Sequence, residues 1–370
     1  MSKGLKRGLI ITAIVISILV LIIGGYLGYI MIQYYRYGDV VKLNVDRNSV
    51  NKTVSLNRAY SISTYNIGFG AYNHEYSFFM DEGYMKDGKY VSGKYATAQS
   101  KEIVLTNTNG AINTIKSLNP DFMFFQEVDK KATRSYSVNQ YEMIMDSFDE
   151  YSSVYASNFH SAYLLYPFND PIGKTEAGIA TLSDYKINSA TRHKLPIDES
   201  FPTKFFDLDR CFMITRYTVA EGKELVLINV HLSAYDKGGV YRKKQLDLLY
   251  EILKEEKLKG NYVIAGGDFN HDIANSLNSF ATEQKVPEWV YVLSDSDLEE
   301  GYKFATSNEK PTCRSTDMPY TKDVNYSVVI DGFIVSNNVS VKSVTNLAQE
   351  NDELFVYSDH NPVYMEFVLV

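Results

Sequence analysis

The 370-residue chain has little of several residue types, and each shortage argues against a class of protein. Its only cysteines are Cys211 and Cys313, so a disulfide-rich scaffold and a cysteine-bound zinc site are excluded. We expect two buried free thiols, with a single bridge as the alternative. Basic residues are not in excess, since 37 Lys and Arg stand against 45 Asp and Glu. A chain of this charge is not a non-specific binder of nucleic-acid backbones.

One long apolar run is present, at the start of the chain. Residues 9–32 carry no charge, and as a helix they would be about 36 Å long, enough to cross a bilayer. A secretory signal would have a shorter apolar region and a small-residue cleavage site, so we predict an uncleaved transmembrane anchor. The basic segment 1–8 would stay in the cytoplasm, and the rest would lie outside it at the cell membrane. The polar residues 33–57 are predicted to form a linker.

Apolar strand-like runs alternate with helical patterns beyond the predicted linker. No Pro- or Gly-rich break divides this part, so we predict one α/β domain over residues 58–370. Apolar stripes indicate helices near residues 112–118 and 240–258. Because strands predominate, we expect two packed sheets with helices on their outer faces. Without the four basic residues of the first 37 positions, the remainder has a net charge of −12, and it could still bind phosphate through a metal ion.

Several of the apolar runs end in polar side chains of related chemistry. These side chains are Asn66, Glu127, His231, Asp268, Asn270, Asp331, Asp359 and His360. Functional sites are commonly built where strands end. Carboxylates and amides suit an oxygen-seeking ion such as Mg²⁺, and a histidine beside an aspartate can activate water. A metal ion, a base and amide donors together meet the needs of phosphoester hydrolysis.

The run AGGDFN places two glycines directly before an acid and an amide. Asp268 and Asn270 are two positions apart, so in an extended chain they project to the same side. Gly266 and Gly267 have no Cβ, which we expect to let a phosphate approach the backbone closely. A turn is the simpler explanation, since Gly, Asp and Asn all favour turns.

Six motifs follow the order seen in the endonuclease/exonuclease/phosphatase superfamily. They are STYNIG, PDFMFFQEVD, INVHLSA, AGGDFN, VVIDGFIVS and YSDHNPV. The chain resembles that group over residues 58–370. The resemblance implies a four-layer αββα sandwich with two central mixed sheets. It also implies cleavage of a phosphoester in a nucleic acid, a phospholipid or a small molecule, with Mg²⁺ as the cofactor and Mn²⁺ as an alternative. The sequence indicates no protein partner.

The resemblance further implies which residues hold the metal ion. Glu127 matches the main metal-binding carboxylate. Asn66, from the first strand of the domain, would support the metal site. Asp359 would lie near the metal ion.

The catalytic roles are implied in the same way. Asp268 would orient the attacking water or assist the leaving oxygen, and Asn270 would hold a phosphate oxygen. His231 would donate a hydrogen bond to the phosphate. His360, oriented by Asp331, would act as the general base or as an electrostatic partner.

Some features leave alternatives open. The aromatic segment 70–99 could form a pocket wall or a lid, contact bases or lipid, or simply pack against the domain. Arg134, Asn139 and Gln140 could contact substrate or belong to an ordinary helix start. The alternative to an enzyme is a membrane-anchored binding protein that has lost catalysis on the same fold.

Overall fold

The computed structural model describes residues 2–48, 50–234 and 239–370. The α-helices in these ranges are α1 (Lys3–Gln33), α2 (Lys101–Leu118), α3 (Gln140–Ser147) and α4 (Val240–Lys259). The strands in chain order are β1 (Val40–Lys42), β2 (Ala59–Asn66), β3 (Glu82–Tyr84), β4 (Tyr90–Ser92), β5 (Phe122–Asp129), β6 (Ser152–His160), β7 (Glu176–Ser183), β8 (Ser189–Lys194), β9 (Cys211–Thr218), β10 (Glu224–His231), β11 (Tyr262–Asp268), β12 (Tyr302–Ala305), β13 (Cys313–Arg314), β14 (Ser327–Val328), β15 (Asp331–Ser336), β16 (Val339–Asn346) and β17 (Val363–Leu369).

Two large mixed sheets form the centre of the molecule. The first has seven strands in the order β1-β8-β9-β10-β11-β15-β12, and the second has six in the order β16-β17-β2-β5-β7-β6. Strands β10 and β11 run parallel, as do β2 and β5. The carboxyl ends of two neighbouring strands therefore meet at one edge of each sheet, and this edge carries the candidate site.

The hydrophobic core lies in three layers. Between the sheets, side chains such as Ile62 of β2 and Leu227 of β10 pack in one buried cluster. Leu249 of α4 packs on the outer face of the first sheet, and Ile112 of α2 packs on the outer face of the second. The predicted four-layer αββα sandwich is confirmed.

Local sequence signals mark the ends of α2. Ser100 precedes the helix, and its hydroxyl oxygen accepts a hydrogen bond from the amide of Ile103 at 3.2 Å. Asn119 ends the helix with φ at 47°, a left-handed conformation that asparagine tolerates better than most residues. Pro120 follows and cannot continue a helix.

Part of the predicted linker, residues 33–57, is instead built into the folded unit. Strand β1 pairs antiparallel with β8 at the edge of the first sheet. Leu43 and Val45 pack against the core between the sheets, and Val54 is buried in it. Exposed and partly buried residues alternate from position 40 to 46, which is the pattern of a half-buried strand.

Helix α1 contains the predicted span, residues 9–32. Among the described helices it is the one that is long and apolar enough to cross a bilayer, judged by length and composition, and its most apolar window is fully exposed. Both features agree with a membrane span.

The aromatic segment 70–99 packs mainly against the domain. Tyr72, Tyr76 and Phe78 are buried in one cluster, with the Tyr72 and Tyr76 rings 4.7 Å apart in an edge-to-face arrangement. The hairpin of β3 and β4 leaves Tyr84 and Tyr90 exposed. The packing interpretation therefore accounts for the buried part of the segment.

Candidate active site

The sequence-predicted polar residues meet at the edge where the parallel strands end. Asn66, His231 and Asp268 are the last residues of β2, β10 and β11, Glu127 lies near the end of β5, Asp331 begins β15, Asn270 follows β11, and Asp359 and His360 precede β17. They come from both sheets. The site therefore lies across the top of the inter-sheet core.

His360 and Asp331 form a short hydrogen-bonded pair in the site. Nδ1 of His360 lies 2.8 Å from Oδ2 of Asp331, and both side chains are buried. Asp331 pairs in register with Asp268 across β11 and β15. Burial lowers the pKa of His360, but Asp331 and the nearby Asp268 and Asp359 outweigh this effect and raise it well above its ordinary value. The second ring nitrogen, Nε2, lies 3.7 Å from Oδ2 of Asp268.

Asn66 links the carboxylates of the two sheets. Its amide nitrogen donates to Oδ2 of Asp268 at 3.0 Å and to Oε1 of Glu127 at 3.3 Å. Its amide oxygen accepts a hydrogen bond from the backbone amide of Gly68 at 3.0 Å, which fixes the orientation of the amide. Asn66 thus presents its amide nitrogen to both carboxylates and orients Glu127.

A β-bulge aims Glu127 at the site. The pairing of β5 with β7 shifts between Phe125 and Val128, and Glu127 has φ at 53°. Its side chain is 25% exposed, more than those of the site's two histidines and Asp268. Burial and the charge of Asp359 raise the pKa of Glu127. The strained backbone places a carboxylate at the mouth of the site, beside a second one.

His231 is a neutral donor in this environment. Burial, with the positive charges of Arg210 and His360, lowers its pKa well below the ordinary value. The amide nitrogen of Asn158 lies 3.5 Å from Nδ1, which assigns the ring proton to Nε2. Nε2 lies 3.6 Å from Asp268 and 3.9 Å from Glu127, distances too long for strong ion pairs. The Nε2 proton therefore faces the centre of the site.

Asp268 and Asn270 form a tight turn after β11. The backbone amide of Asn270, whose φ is 51°, donates to Oδ1 of Asp268 at 2.9 Å. Its side-chain nitrogen donates to the carbonyl oxygen of Leu232 at 2.8 Å, which ties the turn to the end of β10. Burial, reinforced by Asp331 and opposed by His360, raises the pKa of Asp268 to about 7.

The expectation for the two glycines before Asp268 is wrong. A Cβ at Gly267 would overlap the carbonyl oxygen of Val230, and one at Gly266 would overlap the ring of Phe333. Gly267 also has φ at 141°, which favours glycine. Close contact with the neighbouring strands therefore requires these glycines, and the space beside them is not available to a phosphate.

Arg134 and its neighbours are held by the protein itself. Arg134 makes two hydrogen bonds to Asp129, at 2.9 and 3.2 Å, and is nearly fully buried. Asn139 caps α3 by accepting from the amide of Glu142, and Gln140 is buried. Asn139 and Gln140 therefore fit the alternative of an ordinary helix start. Arg134 supplies positive charge near Glu127 from a fixed position.

Two further residues of the site, Asn158 and Arg210, lie outside the sequence motifs. Asn158 contacts His231, and the charge of Arg210 acts on both His231 and Glu127. Arg210 directly precedes β9 at the site edge, which is the one signal that could have indicated it. Asn158 lies inside β6, where nothing in the local pattern distinguishes it.

The donor set fits a hard divalent cation. The charge of Asp359 is part of what raises the pKa of Glu127, so the two carboxylates repel each other, and a cation bound by both would offset that repulsion. A second group, Asp268, Asp331 and His360, has possible ligand atoms within 4.8 Å of one another. In that group His360 and Asp331 are buried and hydrogen-bonded to each other, whereas the Glu127 side chain is 25% exposed and can be reached by an ion from solvent. The Glu127 and Asp359 pair is the better candidate for Mg²⁺.

Fold and site together define a class: an α/β sandwich whose two sheets hold carboxylates and a histidine–aspartate pair at their shared edge. The model of the Endonuclease/Exonuclease/phosphatase family matches residues 64–360, and the chain belongs to this family. The resemblance found in the six motifs is confirmed. A comparison with curated proteins found no match.

Solved structures share the fold. An endonuclease/exonuclease/phosphatase from Beutenbergia cavernae is 15% identical, with a TM-score of 0.53, and the match covers 84% of this chain and 72% of that one. D. rerio TDP2, complexed with single strand DNA product, is 15% identical with a TM-score of 0.53 and coverages of 84% and 99%. ANGEL2, described as a 2′,3′-cyclic phosphatase, is 15% identical with a TM-score of 0.53 and coverages of 90% and 99%.

Proposed function

We propose that this protein is a Mg²⁺-dependent phosphoester hydrolase, anchored in the cell membrane by α1, with its catalytic domain outside the cytoplasm. One observation carries the proposal: Asn66 joins Glu127 of one sheet to Asp268 of the other, next to the His360–Asp331 pair. Binding alone does not require a carboxylate of raised pKa beside an oriented histidine, whereas activation of water does.

The residues have complementary tasks in this proposal. Mg²⁺ held by Glu127 and Asp359 would polarise a phosphate oxygen and offset its charge. Asp268 lies 3.7 Å from Nε2 of His360, close enough for both to hydrogen-bond one water molecule beside them. Nε2 of His231 points its proton into the same space and can donate to a phosphate oxygen as negative charge develops.

The named relatives support phosphoester chemistry in general. One is described with a single-stranded DNA product and another as a 2′,3′-cyclic phosphatase. At 15% identity they do not determine the substrate here. Nucleic acids, phospholipids and small phosphoesters are therefore all candidates at this level.

A catalytically inactive binding protein is the alternative. Each position that the family resemblance assigns carries a side chain competent for its role. The six polar side chains Asn66, Glu127, His231, Asp268, Asp331 and His360 lie within 2.8 to 3.9 Å of a neighbour in the set. This completeness favours the enzyme.

The test uses the full chain in detergent with bis-p-nitrophenyl phosphate, comparing Mg²⁺, Mn²⁺ and chelator. We expect metal-dependent turnover that Glu127→Gln lowers by about 100-fold or more, with a higher metal concentration needed for half-maximal rate. Glu251→Gln, on the exposed face of α4, should match the wild type. Turnover that chelator does not lower, or that Glu127→Gln leaves unchanged, would contradict the proposal. A folded, inactive wild type that still binds metal would favour the binding protein.

A further inference from the structure

The carboxyl end of α1 is held against two loops of the domain, which we call the junction loops (residues 161–175 and 195–210). In the first loop, the hydroxyl of Tyr26 donates to the carbonyl of Tyr163 and accepts from the amide of Leu165, both at 3.1 Å. The hydroxyl of Tyr29 accepts from the amide of Tyr163 at 3.1 Å. The helix is thus joined to the domain by directed hydrogen bonds.

The second junction loop holds the residues just after α1. Arg36 donates to the carbonyl of Lys204 at 2.6 Å and pairs with Asp209 at 2.5 Å, where both side chains are largely buried. The ring of Tyr34 packs edge-to-face on Phe205 at 5.3 Å. Ile30 is buried in the same apolar cluster. Contacts to both loops fix the domain's orientation relative to α1.

Both junction loops leave their sheets at the edge that carries the candidate active site. In the second sheet, Asp129 at the end of β5 pairs with Ala177 at the start of β7. Loop 161–175, which joins β6 to β7, therefore lies beside the carboxyl end of β5. In the first sheet, Val230 pairs with Phe212, so loop 195–210 joins β8 and β9 beside the end of β10. Each loop connects strands within two strand spacings, about 10 Å, of a catalytic strand.

The positions of Tyr26 and Tyr29 along α1 indicate how the active-site edge lies relative to the bilayer. If the hydrocarbon begins near Leu9, about 20 helical residues cross it, so Tyr26 and Tyr29 lie near its outer boundary. Tyrosine is enriched at that depth. The first junction loop, bonded to both tyrosines, therefore lies at the same level as the lipid headgroups.

The junction loops expose apolar side chains at this level. Tyr166 is 61% exposed, Phe168 84% and Phe201 65%. Isolated exposed apolar residues need no explanation, but these belong to the two loops that contact an apolar helix whose surface is itself exposed. They continue the surface of the candidate span onto the domain.

We infer that the active-site edge faces the bilayer in which α1 is anchored, and that the substrate is the phosphodiester of a phospholipid headgroup in that membrane. The inference rests on the proposed function. In the reaction, the oxygen of water forms a bond to phosphorus and one phosphorus–oxygen ester bond breaks. The leaving oxygen takes up a proton, which yields an alcohol and a phosphomonoester.

The charge of the domain favours this substrate over a nucleic acid. Residues 38–370 carry a net charge of −12, which opposes approach of a polyanion. A zwitterionic headgroup brings a single phosphate with a compensating cation. We therefore expect zwitterionic phospholipids to be cleaved faster than anionic ones.

The first experiment measures membrane contact without using activity. Phe168→Cys, in the full chain reconstituted into phosphatidylcholine vesicles, is labelled with an environment-sensitive fluorophore. The native cysteines are buried and free, so the label goes to the new position. We expect quenching by spin-labelled lipid. Leu258→Cys is the matched control, since Leu258 is 82% exposed and lies just before β11 begins, at the opposite edge. Equal quenching at the two positions, or none at 168, would overturn the orientation.

The second experiment compares substrates. In the same vesicles, Tyr166→Ser with Phe168→Ser should lower hydrolysis of phosphatidylcholine about tenfold or more, because these side chains bring the site to the surface. Hydrolysis of soluble bis-p-nitrophenyl phosphate should stay within about twofold, because the substitutions lie outside the site. Leu258→Ser should change neither.

The outcomes separate the two proposals. Wild-type turnover of the soluble diester with no turnover of bilayer phosphatidylcholine or phosphatidylglycerol would overturn the inference and leave the proposed function standing. Faster cleavage of single-stranded DNA than of any bilayer lipid would also overturn it. Loss of both activities in the double variant would place the aromatic residues in the site itself and contradict a role in membrane contact. A wild type that cleaves nothing would remove the proposed function and the substrate inference together.

Discussion

Nδ1 of His360 lies 2.8 Å from Oδ2 of Asp331, although the two residues are 29 positions apart and approach the site from different sheets. Asp331 begins β15 of the first sheet, and His360 precedes β17 of the second. The contact exists only when the two sheets pack in their observed register. It therefore links the integrity of the sandwich to the orientation of the imidazole.

The first prediction concerns this pair. Asp331→Asn preserves the shape of the hydrogen-bonding group but removes its charge and can reverse the imidazole tautomer. We expect turnover of bis-p-nitrophenyl phosphate to fall by about 10²-fold or more, with little change in the substrate concentration for half-maximal rate. Asp247→Asn, on the exposed surface of α4, serves as the control. An active Asp331→Asn variant would contradict the assigned positioning role.

The second prediction concerns Gly267. An alanine there would combine a left-handed φ of 141° with overlap of the Val230 carbonyl. We expect Gly267→Ala to lower the free energy of unfolding by about 3 kcal/mol or more in urea titrations. Gly38→Ala, where the nearest atom lies 3.8 Å away and φ is ordinary, should change it by less than about 0.5 kcal/mol. An unchanged free energy of unfolding in Gly267→Ala would mean that β10 and β11 can move apart at this position.

The third prediction concerns the pH dependence of stability through Glu256. Burial alone would raise its pKa, but hydrogen bonds from Arg216, Lys259 and Asn261 lower it to about 2. A depressed folded-state pKa contributes stability above the unfolded value and loses it as pH falls toward 2. Glu256→Gln should therefore cost on the order of 2 kcal/mol at pH 7, with the gap to the wild type narrowing below about pH 4.5.

Denaturant titrations between pH 3 and pH 8 measure this gap. Glu255→Gln, on the exposed side of the same helix, provides the matched control and should show no such dependence. A gap for Glu256→Gln that widens as pH falls would reverse the expected sign and exclude the charge as its cause.

The fourth prediction separates a buried ion pair from a surface one. Arg134→Met leaves the fully buried Asp129 without its partner, and we expect a loss of about 3 kcal/mol or more in the free energy of unfolding. Lys243→Met breaks the exposed pair with Asp247 and should cost less than about 1 kcal/mol. Thermal unfolding of the two variants provides the comparison. Similar losses in both would show that burial of Asp129 does not decide the effect.

Much of the fold and of the site could be predicted from local pattern. Apolar runs marked the main strands, and apolar stripes near residues 112–118 and 240–258 marked α2 and α4, because these patterns depend on backbone geometry within a few residues. The polar residues at the strand ends were recognisable because each follows an apolar run. Their shared chemistry indicated a site before their positions in space were known.

Other features depended on contacts between distant segments. The bulge that turns Glu127 toward the site arises from its pairing with β7, and the need for glycine at 267 arises from the neighbouring Val230. Arg210 and Asn158 stand outside any motif and act only because their strands lie beside His231. The sequence predicts a linker where β1 lies, because a strand of three residues is too short to show a recognisable alternation of apolar and polar side chains.

The sequence by itself determined the order of strands and helices, the apolar N-terminal helix and the set of groups able to act on a phosphoester, because propensity, periodicity and side-chain chemistry are local properties. Only the tertiary structure decided which of those groups meet, which charges shift the pKa of Asp268 and His360, and on which edge α1 is held. Those outcomes follow from sheet register and close packing, which bring together residues that no local pattern relates.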